Sequence, residues 1–306
     1  GTLNMQDLAA RLPVVADTRT VTSAFAFVTV GISIKLALVP LHLWLPNAYA
    51  YAPSVVSAFV AATATKVAFY VLLRFLFSVF GITFAFHSMP LGIIFLALGT
   101  TAMLTASTAA IFQDNIKRML AYSSVAQVGY MILALSFATA TGLTAAILHL
   151  FNHALMKGAL FLALGCVVYR LGMANIEQMR GLGPRMPWTM TAFVIGGLSL
   201  VGIPLTVGFI SKWYLVLAAL EKGWWPVAAA VLAASLLAVI YIWRVVEAAW
   251  FRSPVETDVR EAREAPLSLL LPTWVLIIAN LYFGIDTTLT VGVAARAAQW
   301  LLGMCV

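Results

Sequence analysis

Long apolar stretches follow one another along this chain, each interrupted by few polar residues and none alternating with a period of two. They run near Val21 to Leu45, Pro53 to Phe80, Pro90 to Phe112, Ile116 to Phe137, Leu143 to Val168, Trp188 to Leu217, Trp224 to Phe251 and Pro266 to Phe283. A hydrocarbon layer about 30 Å thick is crossed by about 20 helical residues, so each stretch predicts a span. Lipid offers the backbone no hydrogen-bond partner, so only helices and closed barrels cross it, and unbroken apolar runs select helices. The expected fold is all-α: a polytopic transmembrane helix bundle of eight spans. The chain closes with Thr287 to Leu302, where Arg296 and Gln299 interrupt the apolar positions as in a helix lying at the membrane interface.

Two of the spans carry signs of a break. Pro40 lies five residues after Lys35, and Gly202-Ile203-Pro204 begins ten residues before Lys212. A proline removes one backbone hydrogen bond and kinks or unwinds its helix. Irregular backbone at membrane depth is tolerated against protein or a watery cavity, so a break beside an ammonium points to a polar path. The competing reading is an ordinary proline kink with a lysine that snorkels to the interface.

Composition settles the solvent. Of 306 residues, 63% are hydrophobic and 9% charged, with mean hydropathy +0.99, against about 45–50% and about 25% in an ordinary globular domain. This is the profile of an integral membrane protein. The excess of 18 Lys+Arg over 11 Asp+Glu would suggest a nucleic-acid partner in a soluble chain; here cationic loops set topology, the partner is the lipid bilayer, and no nucleic acid is expected. One set of alternate connections carries Lys117, Arg118, Arg170, Arg180, Arg185, Arg252, Arg260 and Arg263, the other Arg11, Arg19, Arg74, Lys222 and Arg296. The first set is expected on the cytoplasmic side, which places loops 114–118, 170–187 and 252–265 there in a multi-pass protein of the inner (plasma) membrane. Ser253 to Ala265 alternates acids and bases and reads as a solvated loop. The polar segment 1–20 lacks the apolar core of a signal peptide and reads as extracytoplasmic. Because the chain starts on Gly1 without an initiator Met, it is expected to be a fragment.

The polar residues inside the spans carry the chemistry. A lysine at the centre of a membrane helix costs about 2.5–3.5 kcal/mol on insertion scales, so Lys35, Lys66 and Lys212 need a compensating function, and proton or ion movement is the usual one. His149, His153 and Lys157 recur every four residues, which stacks them on one helix face with about 6 Å of rise per step. That spacing suits a proton relay, since histidine titrates near neutral pH. Structural hydrogen-bonded histidines and a metal pair remain alternatives, although the HExxH glutamate is absent between them. Ser123, Ser124, Gln127 and Tyr130, and Thr100, Thr101, Thr105, Ser107 and Thr108, fit either a wet interior or helix packing. His42 and His87 sit near span ends and read as interfacial, and Arg244 and Glu247 are spaced for a same-helix ion pair. Cys166 and Cys305 show no ligand spacing, so no metal, redox cofactor or catalytic residue is expected.

Four motifs carry a family resemblance: LALVPLHLWLPNAYAYAPSVVSAFVAATATKVAFYVLLRF, NIKRMLAYSSVAQVGYM, HLFNHALMKGALFL and GLSLVGIPLTVGFISKWYLV. In this order, and over nearly the whole chain, they resemble the antiporter-like membrane subunits of respiratory complex I (NADH-quinone oxidoreductase), Mrp-type cation/proton antiporters and membrane-bound hydrogenases. WLPNAYAYAPS and the lysine of TATKV resemble the D-type subunit of Mrp antiporters most, with the quinone-proximal subunit of complex I next.

The resemblance implies roughly fourteen spans with two inverted five-helix units, each holding a broken helix. It makes Lys35 the central lysine of the first unit, Lys66 the connecting lysine, His149 and His153 the mid-membrane relay, and Lys212 the terminal proton-exchanging residue. Residues 21–89 then hold the last two spans of the first unit, 90–251 the complete second unit, and 252–306 a cytoplasmic loop, a final span and the interfacial helix. Family members also carry a glutamate on an earlier span that pairs with the lysine at the Lys35 position, and that span would precede this chain. The implied function is proton or cation/proton translocation, with other membrane subunits as partners, protons and Na⁺ as cargo, and any redox chemistry left to those partners. A stand-alone secondary transporter is expected to hold an acid in a span core, and a non-conducting scaffold has no need of Lys35, Lys66, His149, His153 and Lys212 together.

Overall fold

The short helix α1 (Met5–Arg11) leads into α2 (Arg19–Leu36), α3 (Trp44–Tyr51), α4 (Ser54–Leu73), α5 (Leu91–Ile111), α6 (Ile116–Ser136), α7 (Ala140–Leu171), α8 (Pro187–Val201), α9 (Val207–Glu221), α10 (Trp225–Phe251), α11 (Leu267–Ile285) and α12 (Thr288–Leu301). This computed structural model describes residues 2, 4–172, 174–254, 259 and 262–304, and no strand occurs among them. Arg260 and Cys305 lie outside the described residues, as does part of the 253–265 charge run.

Seven helices among the described residues are long and apolar enough to cross a membrane: α2, α4 with its continuation to Val79, α5, α6, α7, α10 and α11. The sixth expected span, Trp188 to Leu217, is two helices of 15 residues each, α8 and α9, separated at 202–206. The first expected span is likewise divided: α2 stops at Leu36, and α3 begins only at Trp44. Both breaks foreseen from Pro40 and from Gly202 with Pro204 are therefore present. Polar side chains start three of the spanning helices, with Thr18, Asn115 and Thr139 accepting from the first-turn amides of α2, α6 and α7.

Helix α6 lies at the centre, with nearly every residue buried, packed against α3, α5, α7, α9 and α10. Helix α7 runs alongside it and meets α4, α8, α9, α11 and α12. Backbone bonds gather several connections at one end: Ile116 N donates to Ala174 O (2.7 Å), Ile176 N to Asp114 O (2.9 Å) and Gly181 N to Ala248 O (3.1 Å). Lys117 Nζ reaches Ala52 O at 2.9 Å, which brings the α3–α4 corner to this same end. Here Glu264 caps α8, its carboxylate accepting from Trp188 N (2.6 Å) and Thr189 Oγ1 (2.8 Å), while Arg170 Nε donates to the Glu264 carbonyl (3.0 Å). The connections rich in Lys and Arg thus share one end of the bundle.

Three local expectations change. Arg244 does not pair with Glu247: it reaches across to Asp114 Oδ1 (3.0 Å) and the carbonyls of Ile111 and Gln113, while Glu247 pairs with Arg252 (2.9 Å). The open carbonyls at the C-terminus of α5 outcompete a same-helix partner, because a guanidinium satisfies several at once. Thr105 and Thr108 bond the carbonyls of Thr101 and Leu104 in their own helix, so they line no polar interior. His42 lies within the first break, its ring 6.3 Å from that of Tyr122 and its Nδ1 buried, whereas His87 is exposed. The terminal helix read as interfacial is α12; it packs on α7 through Ala294 and Ala298 and leaves Arg296 and Trp300 exposed.

Candidate functional site: a buried polar axis between two broken helices

The second break is shaped by Gly202, whose φ of 93° ends α8 in the left-handed region. Its amide donates to Leu198 O and Ser199 O, the closure that glycine favours at a helix C-terminus. The carbonyls of Leu200 and Val201 are left facing inward, and Lys212, reaching back from α9, takes both at 3.0 and 2.8 Å. An ammonium on the last carbonyls of a helix also meets the negative end of its dipole. A Cβ at Gly202 would lie 2.9 Å from Lys212 Cδ, and one at Gly208 only 1.8 Å from Ser199 O, so glycine is needed for both the lysine's path and the crossing of the half-helices.

From Lys212 the polar groups continue. Its Nζ lies 4.8 Å from the centroid of the Tyr130 ring, whose centroid is 5.8 Å from that of His149. Such a cation over an aromatic face is favourable when desolvated. His149 Nδ1 is 2.8 Å from Ser211 Oγ, on the residue before Lys212. One turn along α7 the His153 ring stacks on His149, centroids 6.1 Å apart and planes within 17°. A further turn brings Lys157, whose Nζ donates to Leu120 O (2.8 Å) and to Ser123 Oγ on α6. Lys66 on α4 donates to Ala61 O (2.5 Å), and Lys66, Lys157 and His149 all lie within electrostatic reach of His153. Lys66, His149, His153, Lys157 and Lys212 are each at most 6% exposed.

Several atoms on this axis have no protein partner: both ring nitrogens of His153, His149 Nε2, Asn152 Oδ1 and Gln127 Oε1 are buried and unpaired among the described residues. Buried polar atoms are ordinarily satisfied by protein or by ordered water. Each is thus an atom that an ordered water would satisfy. Among the described residues no group of three or more His, Cys, Asp or Glu gathers in a metal-binding arrangement.

Lys35 stands apart from the other five. It is exposed, in a groove between α2 and α4 of about 860 Å³ lined by Ile34, Trp44, Val67, Val71 and Phe75. The groove follows from the first break, where Ala37 adopts φ 60° and Trp44 Nε1 turns back to take the Ile34 carbonyl at 2.8 Å. Three buried polar residues escaped the sequence reading. Ser211 was hidden next to the more conspicuous Lys212. Asn152, whose Nδ2 holds Val207 O at 2.6 Å across the second break, had no spacing signal. Tyr241, fully buried on α10, looked like one aromatic in an apolar span.

Known proteins share this arrangement of helices. Residues 1–238 match the family described as NADH:quinone oxidoreductase/Mrp antiporter, TM. NADH-quinone oxidoreductase subunit N of Desulforudis audaxviator is 41% identical over 99% of this chain and 62% of its own length. The D-type Na(+)/H(+) antiporter subunit of Alkalihalophilus pseudofirmus is 31% identical over 93% of this chain and 57% of its own. In the solved Mrp complex from Dietzia sp. DQ12-45-1b, one chain superposes with a TM-score of 0.89 at 27% identity, covering 99% of this chain and 63% of that one. The chain thus spans about three fifths of the length of these relatives. With a family match across most of its length and the same arrangement of helices, the chain is a membrane protein that belongs to the NADH:quinone oxidoreductase/Mrp antiporter transmembrane family.

Proposed function

We propose that this chain forms the proton-conducting half of an antiporter-like subunit within a multisubunit membrane complex. The observation that carries the reading is the line of buried titratable groups, Lys66, His153, Lys157 and His149, ending through Ser211 at Lys212 on the second broken helix. Isolated buried charges are costly in a membrane, and five titratable groups on one axis are most simply retained because they titrate. In such a coupled set a proton gained at one site changes the affinity of the next, so transfer proceeds stepwise and responds to charge movement elsewhere in the assembly. Lys66 would connect the first unit to the axis, His149 and His153 would carry the proton along α7, and Lys212 would exchange it at the far half-channel.

Lys35 belongs to the other unit. Its exposure in the α2–α4 groove supports a partner from outside the described helices, and the glutamate-bearing earlier span implied by the family resemblance would supply one. The end holding loops 114–118, 170–187 and 252–265 would face the cytoplasm. Kinship extends to an oxidoreductase and to an antiporter; the higher identity to NADH-quinone oxidoreductase subunit N favours an assembly of that type over an Mrp-type exchanger.

The test is proton uptake by the purified complex in proteoliposomes, wild type against Lys212→Ala. Loss of uptake in a fully assembled variant supports the reading, and wild-type uptake would overturn it.

A further inference from the structure

Among the described residues, α11 buries two polar side chains completely, Thr273 and Asn280, each 0% exposed. Thr273 donates within its own helix, to Leu269 O at 2.8 Å. Asn280 reaches outward: its Oδ1 accepts from the Ser199 hydroxyl in the last turn of α8 at 3.0 Å, while its Nδ2 donates to Leu276 O at 2.9 Å. Ile277 and Gly284, three residues before Asn280 and four after it, share its helix face. A Cβ at Gly196 would lie 3.5 Å from Ile277 Cδ1, and one at Gly284 only 2.5 Å from the Thr206 carbonyl carbon. Helix α11 therefore follows the interrupted span from the body of α8 to the far side of the break. On the opposite flank Asn152 holds Val207 O, the first residue of α9. Two carboxamides from different helices thus pin the end of one half-helix and the start of the next. Between them Leu205 adopts φ 71°, a left-handed conformation that an L-residue keeps only where its surroundings impose it.

We propose that Asn280 is a positioning residue for Lys212. Through Ser199 it sets the last turn of α8, and with it the aim of the Leu200 and Val201 carbonyls that hold the Lys212 ammonium. Those two carbonyls follow Ser199 directly in the chain, so a turn of the helix end at Ser199 carries them with it. In a low-dielectric interior an ammonium depends strongly on the distance and direction of the dipoles that face it. A polar pair that served only to join two spans could sit at any level of the α8–α11 contact. This one sits one residue from the carbonyls that Lys212 takes, and the Gly284 contact holds the break's backbone one turn further along.

The inference rests on the proposed role of Lys212, and the experiment separates the two. Proton uptake per assembled complex is measured against pH in proteoliposomes for wild type, Asn280→Leu, Ser199→Ala, Thr273→Val and Lys212→Ala. Asn280→Leu keeps the side chain's bulk and removes the bond, and Ser199→Ala removes the same bond from the other end with the smaller change in packing. Both are expected to lower uptake roughly tenfold, short of the roughly 100-fold that misplacing a reacting group can cost. Both should also move the pH profile of uptake to lower pH, because carbonyls that turn away favour the ammonium less. Thr273→Val removes a buried hydroxyl from the same helix away from the break, and should keep the wild-type rate and profile even if the complex melts earlier. Wild-type rate and profile in Ser199→Ala and in the Asn280→Leu complex that assembles, with Lys212→Ala inactive, overturn the positioning role and leave the proposed function standing. An equal shift in Thr273→Val overturns it too, by reducing it to helix packing. Wild-type uptake in Lys212→Ala removes both.

Discussion

Lys212 Nζ sits 2.8 Å from the carbonyl of Val201, the last residue of the half-helix before the break, so the lysine closes the gap that the interrupted span leaves open. The same contact that tethers the ammonium also satisfies an otherwise orphaned acceptor. Any change in the protonation of Lys212 is therefore felt by the backbone of α8, which gives charge movement a mechanical handle.

Replacing Lys212 with alanine is expected to lower proton uptake by roughly 100-fold, the scale of losing a positioned proton-transfer group. It also strands two carbonyls, at a cost of about 1–3 kcal/mol, so the assembled complex should melt earlier. Lys212→Glu is expected to keep part of the transport, because a relay needs a titratable group more than a given sign of charge. Uptake in proteoliposomes and thermal unfolding of the same preparation check both statements.

Gly202→Ala meets two penalties where Gly172→Ala meets one. Both glycines have positive φ, 93° and 73°, which costs an L-residue about 1–2 kcal/mol, but only at Gly202 does the added methyl collide with Lys212. Gly172→Ala should lower stability and leave transport per assembled complex unchanged. Gly202→Ala should lower both, and equal transport in the two variants would show that the lysine's position is not held by this contact.

His149→Ala and His153→Ala are expected to slow transport in complexes that assemble normally. Ser211→Ala removes only the partner of His149 Nδ1 and leaves the rings in place. Its effect should be milder and should shift the pH profile of uptake rather than abolish it, since the tautomer of His149 is no longer fixed. Lowered stability with intact transport in all three would reduce the axis to packing.

A cysteine at Arg185, in a background free of other cysteines, should react with an impermeant thiol reagent only from the cytoplasmic side. Labelling from outside would falsify the orientation inferred from the basic loops.

Much of this could be read from residue order, and the failures share a cause. The two broken helices were announced by Pro40 and by Gly202 with Pro204 because glycine and proline act on their own backbone. The His149, His153 and Lys157 face was legible because helical spacing is a local property. What a span meets across the bundle is not local. Arg244 finds Asp114, 130 residues away, instead of Glu247 three residues on. Lys157 finds Ser123, and Tyr241 becomes notable only once α6 and α10 lie side by side. Lys35 looked equivalent to Lys66 in sequence, yet one faces a groove and the other the interior.

The enclosure of α6 bears on how the protein is made. A helix carrying Lys117, Ser123, Ser124, Gln127 and Tyr130, with nearly every residue buried in the finished fold, has no side adapted to lipid. During synthesis it leaves the ribosome before α7, α9 and α10 exist, with only the segments ahead of it available as neighbours. Its passage into the bilayer then depends on shelter by α5 and α3 until the later helices arrive. Loosening that early contact should appear first as failed biogenesis, before any effect on the transport rate.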